Sequence, residues 1–326
     1  MKNFKNIGLV LLAIIALQSC TDNNDNQTAP PSATEFGNIR QAALENLTQD
    51  FTLVAENGVT SFTSEKGVQF SINGACLTKN GNPVTGSVAV EFVELFDAGA
   101  MLTTDKTTMG RMPNGDMALL VSGGEFYINA TQGGVDLDIS CSIQLIIPSA
   151  LTGGADNTMT LWDGTIDDNG NLDWVEQVDG PAGQNGGVFA EGNGVNGTYY
   201  AFFNSFGWTN VDRFYSDPRP KTTILAEAPS GYNFGNSAIY LHYDGEASTL
   251  AKLDTYSETT HQFSEHYGQI PIGLQCHIIF ATEESGQWRY AIKSATISAG
   301  AVYTFTLAET TVGTEAQLTA AINALP

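Results

Sequence analysis

Val88-Ala89-Val90-Glu91-Phe92-Val93-Glu94 alternates its residues so that Val88, Val90 and Phe92 share one side of an extended chain and Ala89, Glu91 and Val93 the other. A period of two is the signature of a β-strand, and Val and Phe are residues that pack well on a pleated surface. Upstream, Lys79-Asn80-Gly81-Asn82-Pro83 contains the Asn-Gly pair that supplies the positive φ angles of a tight hairpin. Further back, Phe51–Ala55, Thr60–Thr63 and Val68–Ile72 read as short strands, separated by the turn formers Glu56-Asn57-Gly58 and Glu65-Lys66-Gly67. Downstream, residues 117–130 and 135–147 complete a set the size of an immunoglobulin-like sandwich, and Pro148 with Gly153-Gly154 reads as its end.

The rest of the chain repeats the pattern. Met159 through Ile166 and Leu172 through Glu176 form a hairpin about Asn169-Gly170. A glycine-rich polar stretch covers 180–197, and strands resume at Thr198, Lys221, Ala238, Cys276, Gln287 and Val302. Two stripes break the alternation. Phe36, Ile39, Ala43, Leu44 and Leu47 recur at helical spacing, and Leu318, Ala321, Ile322 and Leu325 do so behind the capping box Thr314-x-x-Gln317. The expected architecture is all-β: two tandem β-sandwich domains, immunoglobulin-like or jelly-roll-like, with a short helix at each end. The expected division is a leader over 1–19, a disordered tether over 20–35, a helix and first sandwich over 36–153, and a second sandwich with its helix over 154–326.

The leader carries its own message. Lys2 and Lys5 precede an apolar run from Gly8 to Leu17, and Ser19 stands before Cys20. This resembles the bacterial lipoprotein signal, which implies that Cys20 receives a diacylglyceryl group, becomes the N-terminus after cleavage, and anchors the protein through lipid chains. The apolar run is about ten residues, half of what a membrane-spanning helix needs. The stretch Thr21-Asp22-Asn23-Asn24-Asp25-Asn26 resembles the export signal of Bacteroidota-type surface lipoproteins, implying the outer membrane and its exterior face.

Residues Gly67-Val68-Gln69-Phe70, Val84 through Glu94, Asp97 through Leu102, Thr107 and Ser122 through Ala130 are together similar to a β-sandwich module of such surface proteins, distantly like ZU5 domains. The resemblance covers about a quarter of the chain and implies a fold and a setting without an active site. Some ZU5 proteins cleave themselves at His-Phe-Ser; here Gln262 precedes Phe263-Ser264, so the activating base is missing unless His261 reaches.

Charge and chemistry narrow the function further. With 13 basic against 35 acidic residues the net charge is −22, which disfavours nucleic acid and anionic headgroups as partners. Cys141 lies in phase with Ile143, Leu145 and Ile147, and Cys76 ends an apolar strand of the same domain. An oxidising envelope permits a Cys76–Cys141 disulfide; two buried free thiols are the other reading. Asp167-Asp168-Asn169-Gly170-Asn171-Leu172-Asp173 clusters oxygens, but its glycine is fourth and Val178 stands where a calcium loop wants glutamate, so it reads as a turn. His261 and His266 are five apart, on different faces of any helix, so the zinc-protease spacing fails.

No catalytic motif, metal site or cofactor fingerprint is expected. The most concentrated oddity is Phe206 through Tyr215. There Trp208 is placed to stack on a sugar ring while Asn210, Asp212 and Arg213 take its hydroxyls; alternatively Trp208 and Phe214 plug a core and Asp212 pairs with Arg213. The expected function is therefore non-catalytic: binding, adhesion or scaffolding in the envelope, with an envelope protein or a glycan as partner. Carbohydrate binding, or less so glycoside hydrolysis, is the alternative.

Overall fold

The computed structural model describes residues 29–167, 170–177, 187–265 and 267–326. The lipidation candidate Cys20, the leader and residues 20–28 of the expected tether lie outside them, as does His266. Among the described residues no helix is long and apolar enough to cross a membrane.

The chain is mostly β. The strand that opened the sequence reading runs Ser87–Leu95 and sits inside a sheet ordered 49–54, 87–95, 117–132, 207–214, 160–166, 172–176, 109–111. Its alternation decides the packing. Val88, Val90 and Phe92 are buried against a second sheet, ordered 188–191, 198–203, 143–148, 69–73, 59–63, and Phe92 stacks on Phe70 with ring centroids 4.5 Å apart. Val93 and Leu95 face the other way, into a layer of three helices, Ala33–Leu47, Ala98–Thr104 and Glu315–Asn323.

Beyond the helices lies a third sheet, ordered 251–252, 237–243, 275–284, 287–296, 311–313. It presents Ala238, Tyr240 and Ile279 to the helices, and Ile239, Leu241 and Ile278 to a small fourth sheet that contains Phe263. The two sandwiches thus share a helical filling. Phe36 of the first helix meets the Trp288 ring edge-on across it, at 6.3 Å.

Three expectations need correction. The first sandwich does not end at 153: strands 160–166, 172–176 and 207–214 join the sheet of 87–95, while 188–191 and 198–203 join its partner sheet. The division falls after Phe214. The Pro148 and Gly153 signals mark only a 3-10 turn, Ser149–Thr152, after which the chain re-enters the same core through Leu161 and Tyr199. The sandwiches are also not separate beads, since Met109, Met117 and Leu119 of the first lie in the core of the second. Finally, the first helix begins at Ala33, inside the expected tether. Ser32 caps it, its hydroxyl accepting from the Glu35 amide while the Glu35 carboxylate accepts from the Ser32 amide, a Ser-x-x-Glu box that the sequence displays.

Cys76 and Cys141 form a disulfide across 65 residues, and Cys276 is a buried free thiol.

Candidate functional site

The correction at 153 matters because the relocated strands build the site. At its far edge the large sheet closes on itself. Met117–Gln132 pairs with Gly207–Phe214 and also, near its start, with Met109–Arg111; Thr160–Ile166 pairs with Gly207–Phe214 and Leu172–Glu176; and Trp174 bridges in parallel to Gly110. Five segments therefore form a ring filled by Leu120, Trp162, Leu172 and Trp174. Both indoles are satisfied inside it, the Trp162 Nε1–H donating to the Asp212 carbonyl at 3.0 Å and that of Trp174 to the Thr107 carbonyl at 2.9 Å. The filling is dense enough to demand glycine. A Cβ on Gly164 would lie 2.6 Å from the Trp208 Cβ and 2.8 Å from the Trp174 ring.

Trp208 sits at the rim of this ring, half-buried, opposite Gly164 on one side and Tyr127 on the other. Its ring lies 5.3 Å from Tyr127 and meets Trp174 edge-on at 6.5 Å, so packing fixes its orientation. Tyr127 and Trp208 together floor a groove of about 570 Å³ on the helix-facing side of the sheet. Gln41, Leu44 and Glu45 of the first helix form one wall, while Lys106 and the exposed Ile166 form the other.

Asp50 and Glu91 line the groove's end, directly opposite each other across antiparallel strands. Like charges in facing positions cost stability, so this pairing asks for a purpose outside the fold. Lys106 Nζ stands 5.6 Å from the centre of the Trp208 ring and donates to the Thr104 carbonyl at 3.2 Å. Burial draws its pKa below the ordinary lysine value, although Asp105 and Glu125 act the other way.

Of the four residues singled out from the sequence, only Trp208 reaches the groove. Asn210 and Asp212 point behind it into a wholly buried polar cluster with Ser122 and Glu125. There Ser122 Oγ donates to Asn210 Oδ1 at 3.1 Å, and Asn210 Nδ2 donates to Asp212 Oδ2 at 2.6 Å. A register shift between Asn210 and Asp212, a β-bulge, brings them together. Asp212 Oδ1 and both Glu125 oxygens find no hydrogen-bond partner. Burial pushes both carboxyls well above their usual range, each raised first by loss of water, with Asp212 adding to the effect on Glu125. Both carboxyls therefore hold a proton more readily than exposed acids do, and they sit in the core as polar groups. Arg213 turns away and pairs with Asp156, Nε to Oδ2 2.6 Å, rather than with Asp212.

The other sequence candidates resolve as structural. Asp167 accepts from the Asn171 amide at 2.8 Å and its side chain at 3.2 Å, as a turn requires, and Asp173 pairs with Arg111 of another strand; Asp168 and Asn169 lie outside the described residues. Ser264 Oγ donates to the Ile224 and Glu265 carbonyls. Trp162, Trp174 and Trp288 are core residues. What the sequence reading missed is Tyr127, Lys106 and the Asp50–Glu91 pair, because only strand register places them beside Trp208. No protein-family model matches the chain, and no curated protein matches it either.

Proposed function

We propose that this chain is a non-catalytic envelope lipoprotein, anchored through Cys20, that binds glycans in the groove over Trp208 and Tyr127. One observation carries the reading: two adjacent half-buried aromatic rings form the floor of an open groove whose lining mixes the polar groups of Gln41, Glu45, Asp50, Glu91 and Lys106 with apolar Leu44 and Ile166. A sugar offers an apolar C–H face and a rim of hydroxyls, and this arrangement offers a counterpart to each. Carboxylates suit the role because each accepts several hydroxyl hydrogen bonds, and an ionised acceptor strengthens them. The leader motif at Ser19-Cys20 supports a surface setting in which such ligands are met. Adhesion to, or capture of, cell-surface polysaccharide is the corresponding task.

Glycan-array screening of the full chain in detergent, followed by calorimetry on the best hit, tests the proposal. Specific binding that weakens roughly tenfold or more in Trp208→Ala and in Tyr127→Ala, with unchanged circular dichroism, is expected, since about 1.4 kcal/mol of lost contact is a factor of ten. Silence across the array, or a hit indifferent to both substitutions, refutes it.

A further inference from the structure

On the opposite side of the helical layer, strands Ser237–Tyr243 and Gln275–Glu284 place His242 directly across from His277. Two residues on from His242, and so on the same side of the strand direction, comes Asp244, whose Oδ1 lies 2.7 Å from His277 Nδ1. One donor atom from each of the three lies within 4.8 Å of the others. We infer that His242, Asp244 and His277 form a binding site for a first-row divalent metal ion of the Zn²⁺ type.

Two imidazoles with one carboxylate are a donor set suited to borderline-soft ions and poorly suited to Ca²⁺ or Mg²⁺, which want oxygen. The spacing fits after adjustment. Donors about 2.0–2.2 Å from a tetrahedral ion stand about 3.4 Å apart, so side-chain rotation must draw the widest separation, up to 4.8 Å, in by about 1.4 Å and part Asp244 Oδ1 from His277 Nδ1, now 2.7 Å apart. The second observation is independent of the spacing. His242 is 1 % exposed, and its Nδ1 has no hydrogen-bond partner. A buried ring nitrogen left unpaired costs stability, and a metal is one group that would satisfy it.

The surroundings agree. His242 borders a cavity of about 370 Å³ that touches Glu246, Gly153 and Leu325, a route by which an ion enters. Three protein ligands leave at least one coordination position open to water or a further donor.

The test uses the full chain in detergent, stripped with EDTA and titrated with ZnCl₂ by calorimetry and with CoCl₂ by visible absorption. One equivalent of Zn²⁺ binding at micromolar affinity or tighter, a raised melting temperature, and Co²⁺ d–d bands are expected. His277→Gln and Asp244→Asn should weaken binding roughly tenfold or more, and His261→Gln should not. His277 and Asp244 are partly exposed, so these variants report on ligation even where the buried His242→Gln fails to fold. Absence of saturable Zn²⁺ binding by the folded wild-type chain, or identical affinity in His277→Gln and Asp244→Asn, overturns the assignment. Neither outcome bears on the groove at Trp208.

Discussion

Replacing Asp105 by Asn should loosen the junction between the helical layer and the second sandwich. Asp105 ends the helix Ala98–Thr104 in the left-handed conformation, φ 55°, and its carboxylate is 7 % exposed. Oδ2 lies 3.0 Å from Arg40 Nη1 of the first helix and 3.0 Å from Lys252 Nζ of the second sandwich, and Oδ1 accepts from the Tyr240 hydroxyl at 2.7 Å. One carboxylate thus neutralises two buried cations contributed by separate layers. Asparagine is nearly isosteric and tolerates the left-handed backbone, so the substitution removes charge without adding strain.

Two routes give its magnitude. Removing one partner from a buried ion pair costs about 3–5 kcal/mol, because the other charge is left uncompensated. Independently, Arg40 and Lys252 hold the Asp105 carboxyl down at about 2, against its ordinary 3.8 and against the raising effect of burial. At about 1.4 kcal/mol for each tenfold change in acidity, that depression is worth about 2 kcal/mol. The second figure is the smaller because burial has already offset part of the attraction. Lys252 responds differently from Arg40: desolvation draws it below its ordinary value, so it sheds part of the mutational cost by losing its proton.

Equilibrium urea unfolding followed by tryptophan fluorescence measures the effect. A loss of about 2–5 kcal/mol is expected at pH 7. The folded carboxyl titrates below the unfolded one, so its contribution is complete above pH 4 and is lost as pH falls toward 2. The gap between wild type and variant should close over that window. Adding Lys252→Met to Asp105→Asn should restore part of the loss, since one stranded charge is then gone. A loss under about 1 kcal/mol at pH 7, or one unchanged at pH 2, refutes the reasoning.

The remaining expectations are these. Glu125 and Asp212 are protonated more readily folded than unfolded, so their contribution is present at pH 4 and falls as pH rises; Glu125→Gln should flatten that decline and raise the melting temperature at pH 8, and an unchanged slope would exclude the pair as its source. Glu265, raised by burial to about 7, adds to the same decline between pH 4.5 and 7, and Glu265→Gln should remove its share in the same titration. Opening the Cys76–Cys141 disulfide by a double serine substitution releases a loop of 65 residues and should cost about 4 kcal/mol by loop entropy in urea unfolding. Gly164→Ala should destabilise by about 1–3 kcal/mol through overpacking of the ring and should weaken glycan binding by displacing Trp208; equal affinity would show that Trp208 is not positioned from behind.

What the sequence made legible was local. Alternation in 87–95, the Asn80-Gly81 turn and the two helical stripes each depend on residues near one another, and each is found in place. For Cys76 and Cys141 the sequence left a disulfide and two buried free thiols both open, and the structure pairs them. Domain extent did not follow, because Pro148 and Gly153-Gly154 terminate a strand whether or not the chain later returns to the same core, and return is decided by pairing across 50 or more residues. The same limit governed the candidate site. Trp208 was identifiable by residue type, but Asn210 and Asp212, two and four residues on, lie opposite Glu125 and Ser122 and are wholly buried with them, a pairing that strand register alone decides. The sequence reading passed over His242, Asp244 and His277 altogether, because His277 comes to stand opposite His242 only through the register of two strands more than 30 residues apart.

Ring closure links these points. An open sheet edge at 207–214 would leave Trp208 free to rotate and its neighbours hydrated, whereas pairing on both sides of that strand fixes the backbone beneath the indole. Trp174 then fills the space behind it, and Gly164 admits the close approach. The buried acids pull against this rigidity at high pH, because ionising Glu125 or Asp212 inside the ring strands a charge with no cation in contact. Groove and acid cluster adjoin along one strand, Asn210 standing two residues from Trp208, and a ligand that fixes Trp208 should also protect the cluster from base. Glycan binding in the groove should shift the alkaline unfolding midpoint upward in wild type and leave it unmoved in Trp208→Ala.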